Sequence, residues 1–277
     1  MIDILKALFL GVIEGFTEWL PISSTGHLIL ADEFIQLGAS DAFKEMFDVV
    51  IQFGAIIAVI VLFWNKLWPF CWKSEEHGID RFCKRDTWTM WFKVLVAMLP
   101  AAIIGIPLDD WFDEHFHNPT VVSIALIVYG IIFIVMEYAY KDKRFAIRSL
   151  SRMTYPVALG IGAFQVLSLI PGTSRSGSTI IGAMLLGCSR TVSAEFTFFL
   201  AIPVMAGASL IKLLKFGLAF TGTEVILLAV GMISAFVVSL LSIKWLMGYV
   251  RKHDFKIFGW YRIVLGVIVL VYFYVVK

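Results

Sequence analysis

Six long apolar runs, in a sequence of 277 residues, limit the folds open to this chain. They lie at residues 47–64, 94–108, 120–136, 196–211, 225–243 and 257–276. An α-helix needs roughly 20 apolar residues to cross a bilayer, so flanking tryptophan and polar residues must complete the shorter runs. Charged residues make up only 16% of the chain, which rules out an ordinary soluble domain. The pattern predicts an all-α polytopic membrane protein with six transmembrane helices, forming a single integral membrane domain over residues 1–277.

The charges between these runs predict the orientation of the chain. Lysine and arginine are concentrated in residues 65–93, 139–155 and 244–258, whereas residues 109–119 contain acidic residues and no lysine or arginine. Cytoplasmic loops of membrane proteins are enriched in lysine and arginine. The three basic loops are therefore expected in the cytoplasm and the acidic loop outside. Lys212 and Lys215 fall on the expected outer side and fit this assignment less well.

Two further apolar regions, 1–46 and 156–187, are each interrupted by proline and small polar residues. The first interruption reads Pro21-Ile-Ser-Ser-Thr-Gly, and the second reads Pro171-Gly-Thr-Ser-Arg-Ser-Gly-Ser-Thr. Such residues end one helix and begin another. Because the loop orientation requires each region to enter and leave on the same side, both are expected to be re-entrant helical hairpins. The second helix of the first hairpin is expected to run to Leu37, with Gly38 just past its end.

The two interrupted regions also resemble each other in sequence. Ala7-Leu8-x-x-Gly11-x-x-Glu14 aligns with Ala158-Leu159-x-x-Gly162-x-x-Gln165, and Pro21-x-x-Ser24 aligns with Pro171-x-x-Ser174 after a shift of one residue. The approximate halves 1–150 and 151–277 are therefore expected to form an inverted-topology repeat. In such repeats, ligand sites form near the membrane midplane where broken helices meet.

Ionisable residues within the apolar regions cluster at the two interruptions. Glu14, Glu18 and His27 belong to the first, and Arg175 belongs to the second. A charge at the bilayer centre costs about 2.5–3.5 kcal/mol, so these residues are functional candidates. Glu14 and Glu18 lie on one helical face, where two carboxylates need a cation, a proton or an arginine. Arg262, near one end of the last run, is instead expected to extend towards the headgroups.

Each interruption also offers hydroxyl groups and free backbone amides at the start of a helix, which favour anion binding. Ser24 and His27 are three residues apart, so the imidazole can approach the hydroxyl as in a nucleophile–base pair. The alternative is that Ser23 or Ser24 only caps the helix. Arg175 suits bidentate recognition of phosphate oxygens. Together with carboxylates for a divalent cation, these features predict a phosphate or diphosphate site.

At these residues the chain resembles the undecaprenyl-diphosphatase family of membrane phosphatases, also known as bacitracin-resistance proteins. The resemblance is carried by Glu14-Gly-Phe-Thr-Glu18, Pro21-Ile-Ser-Ser-Thr-Gly-His27 and Pro171-Gly-Thr-Ser-Arg-Ser-Gly-Ser-Thr179. It implies hydrolysis of undecaprenyl diphosphate to undecaprenyl phosphate, which recycles the lipid carrier for cell-wall synthesis. It also implies a bacterial cytoplasmic membrane, a site open to the outer face, and a divalent cation, Mg²⁺ or Ca²⁺.

The resemblance further implies a role for each residue of these motifs. Glu14 and Glu18 would hold the metal or orient the diphosphate. Ser24 with His27 would supply the reactive pair, and Arg175 would bind phosphate. Further contacts with the substrate would come from Ser174 and from Ser23, Thr25, Ser176 and Thr179.

A second class of function is open from the sequence, a transporter or flippase of a polyprenyl phosphate lipid. Inverted repeats with broken helices are typical of secondary transporters, and the glutamate pair would then be a proton or cation site. The net charge of +2 gives no basic patch, so no nucleic-acid partner is expected. Close packing at small residues, within or between chains, makes a homodimer one expectation. These residues are Gly160, Gly162, Gly182 and Gly187.

Overall fold

The computed structural model describes residues 1–71, 82–116, 118–217 and 219–276. Two cations of the first basic loop, Lys73 and Arg81, lie outside the described residues. The α-helices, in chain order, are α1 (Ile2–Thr17), α2 (Ser24–Phe34), α3 (Asp41–Leu62), α4 (Trp64–Leu67), α5 (Arg85–Phe116), α6 (Pro119–Ala139), α7 (Tyr155–Val166), α8 (Arg175–Leu185), α9 (Arg190–Phe216), α10 (Gly222–Val250) and α11 (Lys256–Val271). Short 3₁₀ turns occupy Leu150–Arg152 and Leu167–Leu169, and a π-helical turn, Tyr272–Val276, follows α11.

Six of these helical segments are long and apolar enough to cross a membrane. They are Asp41–Leu62, Arg85–Leu108, Pro119–Ala139, Arg190–Phe216, Gly222–Val250 and Lys256–Val275. Each covers most of one apolar run in the sequence, which confirms the predicted all-α architecture. The protein is a multi-pass membrane protein.

Helix α5 corrects the prediction of a loop over residues 109–119. The helix continues to Phe116, and both Pro100 and Pro107 lie inside it. Prolines are tolerated within membrane helices because neighbouring helices and side chains satisfy the freed backbone groups. The next helix is started by Asn118, whose side chain accepts a hydrogen bond from the amide of Val121 at 3.0 Å. The acidic segment is therefore mostly an extension of α5.

The two interrupted regions form two pairs of short helices, α1 with α2 and α7 with α8. We call residues 18–23, between α1 and α2, the first break, and residues 167–174, between α7 and α8, the second break. The four helices have 16, 11, 12 and 11 residues, which is too short to cross a bilayer singly. The re-entrant path through the membrane and the inverted orientation of the two halves stay predictions.

Helix α2 ends at Phe34, earlier than the predicted Leu37. The residues that follow are held by α1 instead of continuing the helix. The amide of Gly38 donates to Asp3 Oδ1 at 3.0 Å, and Lys6 Nζ donates to the carbonyl of Gln36 at 2.6 Å. These bonds explain the earlier end, because they tie the chain after α2 back to α1.

The second helix of each pair begins with the same unusual backbone conformation. Ser23 has φ 72° and Ser174 has φ 70°, and no other non-glycine residue in the described ranges has a positive φ. Each serine caps its helix by accepting a hydrogen bond from the amide three residues later, Gly26 at 3.3 Å and Gly177 at 3.1 Å. A positive φ is uncommon for a residue with a Cβ atom. The caps are therefore equivalent local structures.

This equivalence corrects the sequence alignment, which paired Ser24 with Ser174. The structure pairs Ser23 with Ser174, and Glu14 then precedes Ser23 by the same separation that Gln165 precedes Ser174. The apparent shift arose because the second break carries Gly172, with φ 91°, between its proline and its cap. No shift is needed once the serines with positive φ are superposed.

Close backbone approaches join each helix pair to a helix of the other half. A Cβ atom on Gly11 of α1 would overlap the backbone of Gly231 in α10. A Cβ atom on Gly162 of α7 would likewise overlap the backbone of Ala97 in α5. Glycine is required at both positions, because the obstacle is backbone. The two halves therefore interlock instead of packing side by side.

Within the chain, neighbours account for most of the small residues that raised the expectation of a homodimer. Gly160 faces Leu186, Gly162 faces Ala97 and Gly182 faces Phe164, whereas a Cβ atom on Gly187 would meet nothing within 4 Å. Contacts of this kind are the intrachain packing that small residues allow.

Lys212 and Lys215 fitted the predicted orientation poorly, and the structure gives them acidic partners. Lys212 pairs with Glu45, and Lys215 Nζ lies 2.9 Å from Asp110 Oδ1. The two lysines are thereby neutralised by acids at the same end of the helix bundle.

Candidate active site

Arg175 joins the second helix pair to the first. It is the first residue of α8, and its Nε and Nη2 atoms lie 3.2 Å and 2.9 Å from Oε1 of Glu18. Its Nη1 atom donates to the carbonyl of Thr197 at 3.0 Å. The side chains of Arg175 and Glu18 are only 11% and 9% exposed. Removing one partner of a buried ion pair typically costs about 3–5 kcal/mol, so this pair holds the two breaks together.

Ser24 shares the carboxylate of Glu18. Its Oγ atom donates to Oε2 of Glu18 at 3.0 Å, and both residues are buried. Glu18 directly follows the last residue of α1 and Ser24 begins α2, so the first break folds the chain back on itself. The serine hydroxyl is therefore held by a group that can accept its proton.

His27 does not pair with Ser24, contrary to the sequence prediction. Its Nδ1 atom lies 2.7 Å from the carbonyl of Ser23, and its Nε2 atom lies 2.7 Å from the hydroxyl of Tyr261. A carbonyl only accepts hydrogen bonds, so Nδ1 carries a proton and Nε2 accepts from Tyr261 when the ring is neutral. The three-residue spacing places His27 on the same helix face as Ser24. Its two ring nitrogens nevertheless bind the carbonyl of Ser23 and the hydroxyl of Tyr261.

The hydroxyls after the second break bind protein groups. Ser176 Oγ lies 3.1 Å and 3.2 Å from the carbonyls of Glu18 and Leu20, across the gap between the two breaks. Thr179 donates to the carbonyl of Arg175 at 2.9 Å and accepts from the hydroxyl of Thr197 at 2.9 Å. Both side chains are fully buried, so they stabilise the arrangement of the site through hydrogen bonds to other protein groups.

Of the five residues expected to contact substrate, Thr25 and Ser174 are half-buried and the other three are buried. Ser23 and Ser174 already use their oxygens as helix caps. Of the predicted residues, the structure thus brings Glu18, Ser24 and Arg175 into direct contact at the two breaks. It also assigns several of them a structural partner that the sequence pattern does not reveal.

A carboxylate and an amide side chain, both buried near the breaks, have no hydrogen-bond partner among the described residues. Both carboxylate oxygens of Glu14 and both amide atoms of Gln165 are in this state. The two residues occupy equivalent positions in α1 and α7, and each is at most 1% exposed. Asp48 of α3 lies close enough to Glu14 to act on it electrostatically. A buried carboxylate without a partner is costly, so Glu14 requires a ligand, a proton or water.

This donor set fits a divalent cation that is bound together with a phosphate ligand. Within the described ranges, no three His, Cys, Asp or Glu side chains are grouped to hold a metal ion alone. Mg²⁺ is usually held by one or two carboxylates, with phosphate oxygens and water completing its coordination. Glu14 offers two uncommitted oxygens, whereas Arg175 and Ser24 already bind those of Glu18. Glu14 is therefore the better ligand of the predicted pair.

Two consecutive residues of α11, Tyr261 and Arg262, also contact the site, and the sequence pattern predicts neither of them there. Arg262 was expected at the headgroups, but it is fully buried. Its Nη1 atom donates to the carbonyl of Pro21 at 3.1 Å, and its Nη2 atom donates to the carbonyls of Gly172 and Thr173 at 2.7 Å and 2.9 Å. The only available signal was an arginine inside a long apolar run.

The fold and the site define a class of protein: an integral membrane protein whose polar centre is built from two broken helix pairs. The family model described as bacitracin resistance protein BacA matches residues 7–268. The chain belongs to this family.

Three relatives are similar over nearly the full length of both chains. The undecaprenyl-diphosphatase of Enterococcus faecalis is 60% identical over 269 residues, which cover 97% of this chain and 96% of the relative. That of Acetivibrio thermocellus is 60% identical over 277 residues and all of both chains. That of Desulfitobacterium hafniense is 58% identical over 274 residues, 99% of this chain and 97% of the relative.

Proposed function

We propose that this protein is an undecaprenyl-diphosphate phosphatase, which hydrolyses undecaprenyl diphosphate to undecaprenyl phosphate and inorganic phosphate. Three relatives of that name, 58–60% identical over nearly the full length of both chains, support the reaction. In the structure, the observation that carries it is the contact of Arg175 with Glu18, which joins a phosphate-binding cation to the carboxylate beside Ser24. The reaction recycles the lipid carrier for cell-wall synthesis and confers bacitracin resistance.

The two breaks supply the positive potential that a diphosphate needs. Helices α2 and α8 both begin there, and the N-terminus of a helix favours an anion through its free amides and its dipole. Arg175 adds a guanidinium at the start of α8, and Arg262 lies directly behind both breaks. The diphosphate group is bound between the breaks, and its polyprenyl tail lies along the apolar surface of the helices.

Ser24 is the nucleophile of the proposed reaction. Its Oγ atom attacks the terminal phosphorus, the bond from that phosphorus to the bridging oxygen breaks, and Oε2 of Glu18 takes the hydroxyl proton. Undecaprenyl phosphate leaves, and water then hydrolyses the phosphoserine to release inorganic phosphate. Direct attack by water, with Glu18 as the base, is the alternative that uses the same residues.

Arg175 stabilises charge on the phosphate oxygens as the bond breaks. A bound divalent cation, Mg²⁺ or Ca²⁺, supplies further neutralisation of that charge. Glu14 would hold the cation with its two uncommitted oxygens, and Glu18 lies one helical turn away. His27 of α2 forms a hydrogen-bonded pair with Tyr261 of α11.

The proposed location is the cytoplasmic membrane of a bacterium, with the site open to the outer face. The acidic end of α5 lies outside in this orientation, and the basic loops lie in the cytoplasm. The homodimer stays a prediction.

The test is release of inorganic phosphate from undecaprenyl diphosphate by the protein purified in detergent, with and without a chelator. We expect release by wild type that depends on the cation, and a loss of at least about 100-fold in Arg175→Ala. Arg190→Ala is the matched control, because Arg190 also pairs with a buried carboxylate, Glu137, outside the site. It should lower thermal stability but keep turnover.

Absence of phosphate release from folded wild-type protein that binds the lipid would contradict the proposal. The same preparation, reconstituted in vesicles, then tests the transporter hypothesis by movement of the lipid between leaflets.

A further inference from the structure

Arg262 is a buried cation that touches both breaks at once. Its guanidinium donates to the carbonyl of Pro21 in the first break and to those of Gly172 and Thr173 in the second. These carbonyls are 241, 90 and 89 residues away along the chain. The side chain is 0% exposed, so water competes for none of these bonds.

The stability of the fold alone does not account for an arginine at this position. Burying a cation is expensive, and a well-packed apolar side chain of similar volume is often as stable or more so. The hydrogen bonds formed by Arg262 all go to carbonyls, and its Nε atom has no partner among the described residues. The positive charge also lies beside the starts of α2 and α8, where the helix dipoles disfavour a cation.

What the guanidinium provides is a rigid link between the two breaks. A planar guanidinium directs its donors in a fixed fork, whereas the ammonium group of lysine is a compact point on a flexible chain. The fork of Arg262 fixes Pro21 relative to Gly172 and Thr173. Those residues lie one or two positions before the caps of the two helices that carry Ser24 and Arg175.

We propose that Arg262 is a positioning residue for the phosphatase reaction. It holds the two breaks at the separation that keeps Arg175 on Glu18 and Glu18 on Ser24. This inference rests on the proposed function for its catalytic consequence, but the link itself can be tested without activity.

The first experiment measures backbone hydrogen exchange of the intact protein in detergent, in peptides that cover the first and second breaks. In Arg262→Lys, which keeps the charge but loses the fork, we expect exchange at least about 10-fold faster in both peptides. The matched control is Leu265→Ala, one turn further along α11, where a buried leucine packs against α6. It should leave both peptides unchanged. Unchanged exchange in Arg262→Lys, or faster exchange in one break only, would overturn the link.

The second experiment measures the kinetics of phosphate release. Small misplacements of reacting groups cost up to about 100-fold in rate, so Arg262→Lys should lower kcat by about 10- to 100-fold with little change in KM. In an Arg175→Lys background the same substitution should lower kcat by less than about threefold further, because the aligned group is already lost. If the fold-losses of kcat in the two single variants multiplied in the double variant, Arg262 would not act through Arg175.

These two readouts separate the possible failures. An inactive wild type would defeat the proposed function, and the exchange measurement would still decide the link. An active Arg262→Lys variant, with both breaks exchanging faster, would overturn the positioning role and leave the phosphatase intact.

Discussion

The first and second breaks have the same backbone design and opposite chemistry. In each, a serine with positive φ caps the following helix, and the side chain four residues later bonds to the carbonyl of that serine. His27 does so on Ser23 at 2.7 Å, and Ser178 does so on Ser174 at 2.9 Å. Three equivalent positions differ in charge: Glu14 against Gln165, Glu18 against Leu169, and Ser24 against Arg175.

This difference shows how a repeated scaffold can make an asymmetric site. Both breaks present a helix N-terminus, which suits a phosphate anion. The two carboxylates and the proposed nucleophile, Ser24, belong to the first helix pair, and the proposed phosphate-binding cation, Arg175, belongs to the second. Neither break contains a complete site, so the geometry between them decides activity.

The largest effect should come from removing the acid of the first break. Glu18→Gln takes away the charge that holds Arg175 and accepts the Ser24 hydrogen bond, so kcat should fall by about 10³-fold. Phosphate release at saturating substrate measures it. Glu137→Gln is the control, because it weakens a comparable pair with Arg190 away from the site. If both variants lost activity equally, the charge at the first break would have no special role.

A smaller effect should follow when Glu14 is made to match its counterpart in the second pair. Glu14→Gln preserves shape but removes the uncommitted carboxylate, so the Mg²⁺ concentration for half-maximal turnover should rise by about 10- to 100-fold. The measurement is a Mg²⁺ titration of chelator-treated protein. Gln165→Leu should leave that concentration unchanged. An unaltered requirement in Glu14→Gln would remove Glu14 from the proposed cation site.

A modest effect is expected from the aromatic partner of His27. Tyr261→Phe removes one hydrogen bond, worth about 0.5–1.5 kcal/mol, so kcat should fall by about 2- to 10-fold. Tyr274→Phe is the control, because its hydroxyl bonds to Thr120 at 2.7 Å, outside the site. Equal rates in Tyr261→Phe and wild type would show that this hydroxyl is dispensable.

The smallest effect tests the equivalence of the two caps. Ser23→Ala and Ser174→Ala each remove a side-chain cap, worth about 1 kcal/mol, and place alanine at a positive φ. Thermal unfolding in detergent should therefore show the same decrease in midpoint for both variants. A several-fold difference between them would mean that the two breaks are held by different forces.

The helices were largely predictable because apolar length is a local property. Each of the six runs became a helix, and proline with small residues marked both breaks. The predicted ends of two helices were wrong, because contacts with other segments cannot be predicted from local sequence. Helix α2 ended early because Asp3 and Lys6 bind the residues that follow it, and α5 continued through its acidic end.

The sequence predicted which residues lie at the site, but not which of them contact one another. Charged and hydroxyl residues in apolar surroundings were found from the sequence, but their partners were not. His27 meets Tyr261 across 234 residues of chain, and Arg262 binds backbone carbonyls, which leave no trace in residue type. Spacing alone favoured a contact between Ser24 and His27, whereas in the fold Ser24 donates a hydrogen bond to Glu18.

The contact of Glu18 with Arg175 also has a consequence for how the chain is made. The two residues are 157 positions apart, and at about 5–20 residues per second a ribosome needs roughly 10–30 s to add the arginine after the glutamate. During that interval the nascent first helix pair holds its carboxylates without their cation. A carboxylate in this state is much cheaper to keep in water than in lipid. The first pair should therefore remain at the membrane surface during synthesis and sink to its final depth only when the second pair arrives.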